Sequence, residues 1–213
     1  MAMQLYNYFR SSASWRVRIA LALKGLDVDY LPIHLVKKEQ SAPGYLGRSP
    51  NGLVPLLVTD GGHRLHQSLA IIEYLDETVP EPPLLPRDAL GRARVRALAQ
   101  DVACEIHPLN NLRVLQYLTG LLGAGEEGKQ AWIRHWVEDG LAVVERQLAA
   151  QPAPFCHGDT PGLADCALVP QVFNAQRFKC ELAHVPHVIR VHAACMALPA
   201  FSGTQPSACP DAE

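Results

Sequence analysis

No stretch of this sequence concentrates charge of one sign. Its 19 lysines and arginines stand against 21 aspartates and glutamates, a formal net charge of −2 over 213 residues. Without a basic stripe, nucleic acid and anionic membrane surfaces are not expected as partners. No apolar run approaches the ~20 residues that span a bilayer, and the N-terminus lacks a charged segment followed by a long apolar one, so neither membrane insertion nor a secretory leader is expected. The six cysteines include no C-x-x-C pair; scattered cysteines in a chain of this size point to reduced thiols and a cytoplasmic location. The nine histidines show neither H-x-x-x-H nor a carboxylate spacing suited to a metal, so none is assigned. What the chain does have is apolar content, 48% of its residues. That suffices for a core burying roughly 70% of the unfolded surface.

Hydrophobic patterning changes character part-way along. "QLYNYF" has the aromatic content and abrupt ending of a strand, and apolar spacing from Ser14 to Lys24, with Gly25 as the stop, predicts a helix. "DYLPIHLV" is a second strand, which Pro32 confines to a sheet edge. A long irregular connection, rich in Gly, Pro and Ser, leads to "VPLLVTDGGHRLHQS", a hairpin, and then to the helix "SLAIIEYLDETV". The order is βαβ, loop, ββα. Pro80, Pro82, Pro83 and Pro86 then form a stiff segment. Beyond it only helical patterns occur: 89–119 with a kink at Pro108, "EEGKQAWIRHWVEDGLAVVERQLAAQ", "LADCALVPQVFNAQRF" interrupted at Pro170, and "HVIRVHAACMAL". The domains expected are 1–80, α/β and thioredoxin-like, and 89–213, all-α, joined by a linker at 81–88. The small polar tail "SGTQPSACPDAE" is expected to fray.

Three local features carry chemistry. In "YNYFRSSASWRVRIALALKG" a strand becomes a helix through Arg10, Ser11 and Ser12. The first N–H groups of a helix carry partial positive charge and stabilise a thiolate held there, although Ser11, Ser12 or Ser14 could equally serve as a helix cap. Val54-Pro55 precedes a strand; a cis bond would turn the Val54 backbone toward an extended peptide. Gln67 and Ser68 precede a helix whose start could take a carboxylate, or Ser68 could simply cap it. Arg16 and Arg18 are read as helix-surface residues in ion pairs, Trp132 and Trp136 as core packing four residues apart, and Cys166 as an inert buried thiol.

Together, "SSASWRVRIALALKG", "LVP" and "HQSLAIIEYL" stand in the order found in glutathione S-transferases. "SSASWRVRIAL", "HPLNNLRVL" and "GDTPGLADCALVPQVFNAQRF" resemble the zeta class, that of the maleylacetoacetate isomerases. The resemblance implies glutathione as cofactor. Ser11 would serve its thiolate with Ser12 beside it, while Gln40, Val54, Gln67 and Ser68 would hold its backbone and γ-glutamyl carboxylate, and His107, Asn111 and Arg113 would add contacts. It implies a cis–trans isomerase of a small dicarboxylate, maleylacetoacetate in aromatic amino acid breakdown or maleylpyruvate. Arg10, Arg113 and Arg177 would grip carboxylate or enolate oxygens through paired bonds. A general conjugating transferase and a non-catalytic glutathione-binding protein are the alternatives. A homodimer is also implied. Two departures stand out: Ala13 lies where the class often has cysteine, and Gly162 rather than Ser or Thr opens the helix carrying Asp165.

Overall fold

The computed structural model describes residues 2–213. The chain divides into two compact units, residues up to Leu84 together with Ala197–Glu213, and Leu85–Met196.

The first unit is built on a four-stranded sheet in the order β2-β1-β3-β4. Strand β1 (Gln4–Asn7) runs parallel to β2 (Asp29–Pro32), and helix α1 (Ser12–Leu23) is the crossover between them. Strand β3 (Leu56–Val58) pairs antiparallel with β1 and, through a hairpin, with β4 (Arg64–His66). Pro32 lies in the edge strand, where its missing N–H breaks no ladder bond. Leu5 and Leu57 sit opposite one another at the centre of the sheet, fully buried. The loop after β2 contains a 3-10 turn (Glu39–Ser41) and a short helix α2 (Pro43–Leu46). Helix α3 (Ser68–Thr78) packs beside α1.

The other side of α1 is covered by chain from the far end of the sequence. Helix α9 (Pro199–Ser202) packs against it, and the tail does not fray. Phe201 is fully buried and Cys209 joins a cluster with Tyr8 and Phe9. The polar composition of the tail hides the reason for its order, since its anchors are single side chains bonded to residues about 200 positions away. Covered on both sides, α1 buries even its charged residues. Arg16 and Arg18 are 2% and 6% exposed, which corrects their reading as surface ion pairs. Arg18 donates instead to oxygens of Asn7, Tyr8, Phe9 and Thr204, and Arg16 Nη1 to the Ser68 hydroxyl, as charge buried out of water requires. Lys24, at the end of α1, donates to Asp76 Oδ1 (2.6 Å), Val79 O (2.7 Å) and Pro82 O (2.6 Å), using all three of its protons. This bond set ties the proline-rich segment to α3.

The second unit is helical: α4 (Ala89–Gln100), α5 (Leu112–Gly120), α6 (Glu126–Ala150), α7 (Leu163–Arg177) and α8 (Pro186–Met196). The pattern expected as one kinked helix over 89–119 is resolved into α4, a π-helical turn (Asp101–Ile106), a 3-10 turn (His107–Asn110) and α5. The break falls at Pro108, which has no N–H to continue the ladder. Helix α7 runs unbroken through Pro170, because it is buried along most of its length and its packing outweighs the ~3 kcal/mol that an interior proline costs. Asp165 accepts from the N–H groups of Gly162 and Cys156 (both 2.9 Å). Gly162 has no side chain to return the bond, so only half of a reciprocal cap exists. Trp132 and Trp136 stack edge-to-face at 5.6 Å, and Cys166 is fully buried. Among the described residues no helix is long and apolar enough to cross a membrane.

Candidate active site

The turn between β1 and α1 is shaped by its own hydrogen bonds. The Ser11 N–H donates to Tyr8 O (3.0 Å), and Ser11 adopts the extended conformation of an N-cap, φ −70° and ψ 115°. Its Oγ accepts from the Ser14 N–H at 3.2 Å. Capping and thiolate stabilisation, which the sequence leaves as alternatives, are compatible here: the cap uses a lone pair on the oxygen and leaves the hydroxyl proton to donate. Ser12 opens the first helical turn and is buried. Arg10 is exposed one residue before the cap. Its guanidinium lies 5.0 Å from the Phe9 ring centroid and donates through Nη2 to the Tyr8 hydroxyl at 2.8 Å. A planar cation is thus held at the mouth of a helix N-terminus, where it adds to the positive end of the dipole.

Val54 packs against the cluster of Tyr8, Phe9 and Cys209, and so stands next to this turn. The Val54-Pro55 bond is cis, as is Glu81-Pro82, and the Val54 backbone lies just outside the ladder that starts at Leu56. The loop before it is pressed against the Gln40 turn. A Cβ at Gly52 would sit 3.3 Å from the Gln40 carbonyl, and Gly52 has a φ of +59°. The Gln40 Oε1 is shielded from solvent and accepts no hydrogen bond.

At the start of α3 the structure corrects the sequence reading. Ser68 does not cap the helix: it is the first helical residue, and the N-cap is Gln67, whose φ of 70° lies in the left-handed region. A non-glycine residue there costs of order 1–3 kcal/mol and persists where the surroundings impose it, often at ligand clamps. The freed Ser68 Oγ accepts from Arg16 Nη1 at 3.3 Å. Arg16 therefore brings a buried positive charge from α1 to the N-terminal end of α3. Sequence reasoning missed this residue, although its signal is visible: in "SWRVRIAL" an arginine falls on a helix with no polar face for it to occupy. Ser11, Ser12, Val54, Gln67 and Ser68 thus share one region of the first unit, with Gln40 held through Gly52.

The remaining candidates lie in the helical unit. Asn111 is the N-cap of α5, accepting from the Arg113 N–H at 3.3 Å, and His107 begins the 3-10 turn that leads there. Arg113 is exposed on the first turn of α5, with no carboxylate at ion-pair distance among the described residues. A cation at that end of a helix is unfavourable unless an anion joins it. Arg177 has a local explanation: it ends α7, where a cation suits the dipole, and covers the Phe178 ring at 4.5 Å. Among the described residues no group of three or more His, Cys, Asp or Glu could hold a metal ion.

Residues 1–77 match the family model for the glutathione S-transferase N-terminal domain, and residues 130–202 that for the C-terminal domain. Two curated relatives extend the likeness over the chain. A maleylpyruvate isomerase from Ralstonia sp is 49% identical over 211 residues, 98% of this chain and 99% of its own. A maleylacetoacetate isomerase from Pseudomonas aeruginosa is also 49% identical over 211 residues, 98% of each chain. The chain belongs to the zeta class of the glutathione S-transferase family. The holo form of a bacterial zeta-class maleylpyruvate isomerase superposes with a TM-score of 0.96 at 47% identity, covering 99% of this chain and 100% of that one. The Anaeromyxobacter dehalogenans maleylacetoacetate isomerase, solved with glutathione in its active site, gives 0.91 at 43%, covering 100% and 98%. For a glutathione S-transferase the geometry of the first unit has a direct meaning. An anion-favouring helix start at Ser11 and another at Gln67 and Ser68 could take two anionic groups of one peptide, the thiolate of its central cysteine and a carboxylate, and the Gln40 side-chain oxygen could accept from an amide N–H.

Proposed function

We propose that this glutathione S-transferase is a glutathione-dependent cis–trans isomerase whose substrate is maleylacetoacetate, an intermediate of aromatic amino acid breakdown. The observation that carries the reading is the sequence of groups at one turn: a helix-capping hydroxyl with its proton free to donate, immediately preceded by an exposed, stacked arginine. Bound glutathione supplies the thiolate that adds to the conjugated alkene carbon and leaves again after rotation about the former double bond, so it is not consumed. Ser11 donates to that sulfur and, with the α1 N-terminus, keeps it ionised near neutral pH. Ser12 lies beside it. Arg10 holds the negative charge that develops on the substrate's carbonyl oxygen, the largest contribution expected from the protein. Gln40, Val54, Gln67 and Ser68 bind the rest of glutathione, with His107, Asn111 and Arg113 as further contacts. Arg113 and Arg177 bind substrate carboxylates; the lack of a local partner makes Arg113 the stronger of the two.

The test is turnover with thiol counted: isomerisation should proceed through many cycles with free glutathione unchanged, whereas net thiol loss would identify a conjugating transferase. Maleylpyruvate is the second reading, favoured by the equal 49% identity of the Ralstonia enzyme. Comparing kcat/KM on both substrates decides between them. Dependence on reduced glutathione supports a cytoplasmic location. The class resemblance supports a homodimer, and light scattering at micromolar protein should return twice the chain mass; a monomer mass would refute it.

A further inference from the structure

The C-terminal tail reaches the reactive turn from the opposite end of the sequence. Asp211 Oδ2 accepts from the Phe9 N–H at 3.1 Å, and its Oδ1 accepts from the Tyr30 hydroxyl. The other polar atom of Phe9, its carbonyl oxygen, accepts from Arg18 Nη2 at 3.0 Å. Arg18 also donates to Asn7 Oδ1 (3.0 Å) and Tyr8 O (3.4 Å), and through Nε to Thr204 O (3.1 Å). Trp15 Nε1 adds a bond to Thr204 Oγ1 at 3.0 Å. Both polar atoms of Phe9 are therefore held by charged side chains of opposite sign, and one of these belongs to the tail.

The Phe9 carbonyl is part of the peptide group that carries the Arg10 N–H, so its orientation sets where Arg10 leaves the chain. The Phe9 ring is also the surface on which the Arg10 guanidinium rests. Close by, Thr204 and Cys209 of the tail line a cavity of about 460 Å³ together with Arg18, Leu21, Leu26 and Tyr30. Beside the cavity Cys209 packs against Tyr8 and Phe9. To this packing Asp211 adds two polar ties, to Phe9 and to Tyr30.

We propose that Asp211 is a positioning residue for the reactive turn: through Phe9 it fixes Arg10 in the place from which it meets the substrate, making the C-terminal strap part of the active-site scaffold. The proposal rests on the role given to Arg10 above. It adds that the tail tunes turnover rather than glutathione affinity, because the residues assigned to the glutathione backbone, Val54, Gln67 and Ser68, make no bond to Asp211.

The experiment combines kinetics of Asp211→Ala, Arg10→Ala and the double variant with amide hydrogen exchange across residues 8–14. Asp211→Ala should lower kcat roughly 10- to 100-fold, the scale set by ångström-level misplacement of a reacting group. Glutathione Kd should stay within about threefold, as expected when only transition-state contacts are lost. The double variant should match Arg10→Ala within about twofold, since the two act as one unit, and exchange at the turn should accelerate. Asp211→Asn keeps the shape and one acceptor, guards against loss of fold, and should show a smaller defect of the same kind. Glu126→Gln, whose exposed carboxylate meets Lys129 and Gln130 on the first turn of α6, should match the wild type. Full kcat in Asp211→Ala, effects that multiply with Arg10→Ala, or unchanged exchange would each overturn the proposal. Wild-type activity in Arg10→Ala would refute the role of Arg10 instead, and exchange at the turn would still report whether Asp211 holds it.

Discussion

Replacing Ser11 by alanine should produce two separable defects, because its hydroxyl does two jobs. The oxygen caps α1 through the Ser14 N–H. Losing that bond costs about 0.5–2 kcal/mol and should lower Tm by roughly 2–4 °C per kcal/mol for a chain of this size. The proton, on the proposed reading, donates to the thiolate of bound glutathione. A hydrogen bond to a charged group contributes about 1.5–3 kcal/mol, so the bound thiol's pKa should rise by about one to two units. At neutral pH the rate should then fall roughly 10- to 150-fold, at 1.4 kcal/mol per decade. Much of it should return in alkali, where the thiol ionises without help. Ser11→Asp separates the two defects. Aspartate caps a helix as well as serine does, so Tm should hold. Its carboxylate about 4 Å from the sulfur would add repulsion on the order of 4 kcal/mol, leaving the thiol harder to ionise than in Ser11→Ala. The assays are thermal unfolding, ultraviolet titration of the bound thiol and a pH–rate profile. A bound-thiol pKa unchanged in Ser11→Ala would remove Ser11 from the chemistry and leave it a cap.

Arg10→Ala should lower the rate at every pH, because it removes a cation from the substrate rather than a proton donor from the sulfur. Arg10→Lys should restore only part, since a point charge cannot form paired bonds; recovery of Arg10→Ala in alkali would reassign Arg10 to the thiolate. Gly140→Val should destabilise the helical unit by at least ~2 kcal/mol in urea unfolding. Even a bare Cβ at that position of α6 would overlap Ile106 Cδ1 at 2.7 Å, and Ile106 is buried; unchanged stability would show that the helices can part there. Glu145 accepts from the backbone N–H groups of His187 (3.1 Å) and Val188 (2.9 Å), so it caps α8 from α6. Burial pushes its carboxyl up, but these bonds and the His187 ring outweigh burial and hold it below its ordinary 4.5. The folded-state value being depressed, this stabilisation is complete above about pH 4.5 and is lost as pH falls through the lowered value. Glu145→Gln should be less stable by about 1–2 kcal/mol at pH 7 and indistinguishable from wild type in strong acid. An equal gap at both pH values would refute the assignment.

Local order was legible in the sequence because it depends on near neighbours. The β1-α1-β2 unit, the hairpin at "DGG", the edge position of Pro32 and the serine turn all follow from periodicity, turn residues and the geometry of a helix start. Ser11 could be placed at the N-terminus of α1 for the same reason. Its two possible jobs could not be reconciled without the direction of the Ser14 N–H. Four features were decided only by tertiary structure. Arg16 and Arg18 are charged residues at helical spacing, and a sequence shows no difference between such residues in water and those buried beside distant chain, Arg16 against Ser68 and Arg18 against Thr204. Ser68 reads as a cap, but the cap is Gln67, whose φ is positive, and the serine hydroxyl accepts from Arg16 of another helix. Pro170 reads as a break, yet α7 continues because burial along most of its length outweighs one missing hydrogen bond. The polar tail reads as loose, and it is ordered by Asp211 and Thr204, whose partners are Phe9, Tyr30, Trp15 and Arg18. Composition measures the mean tendency of a segment to bury itself. A few charged or polar bonds to distant residues decide whether it does.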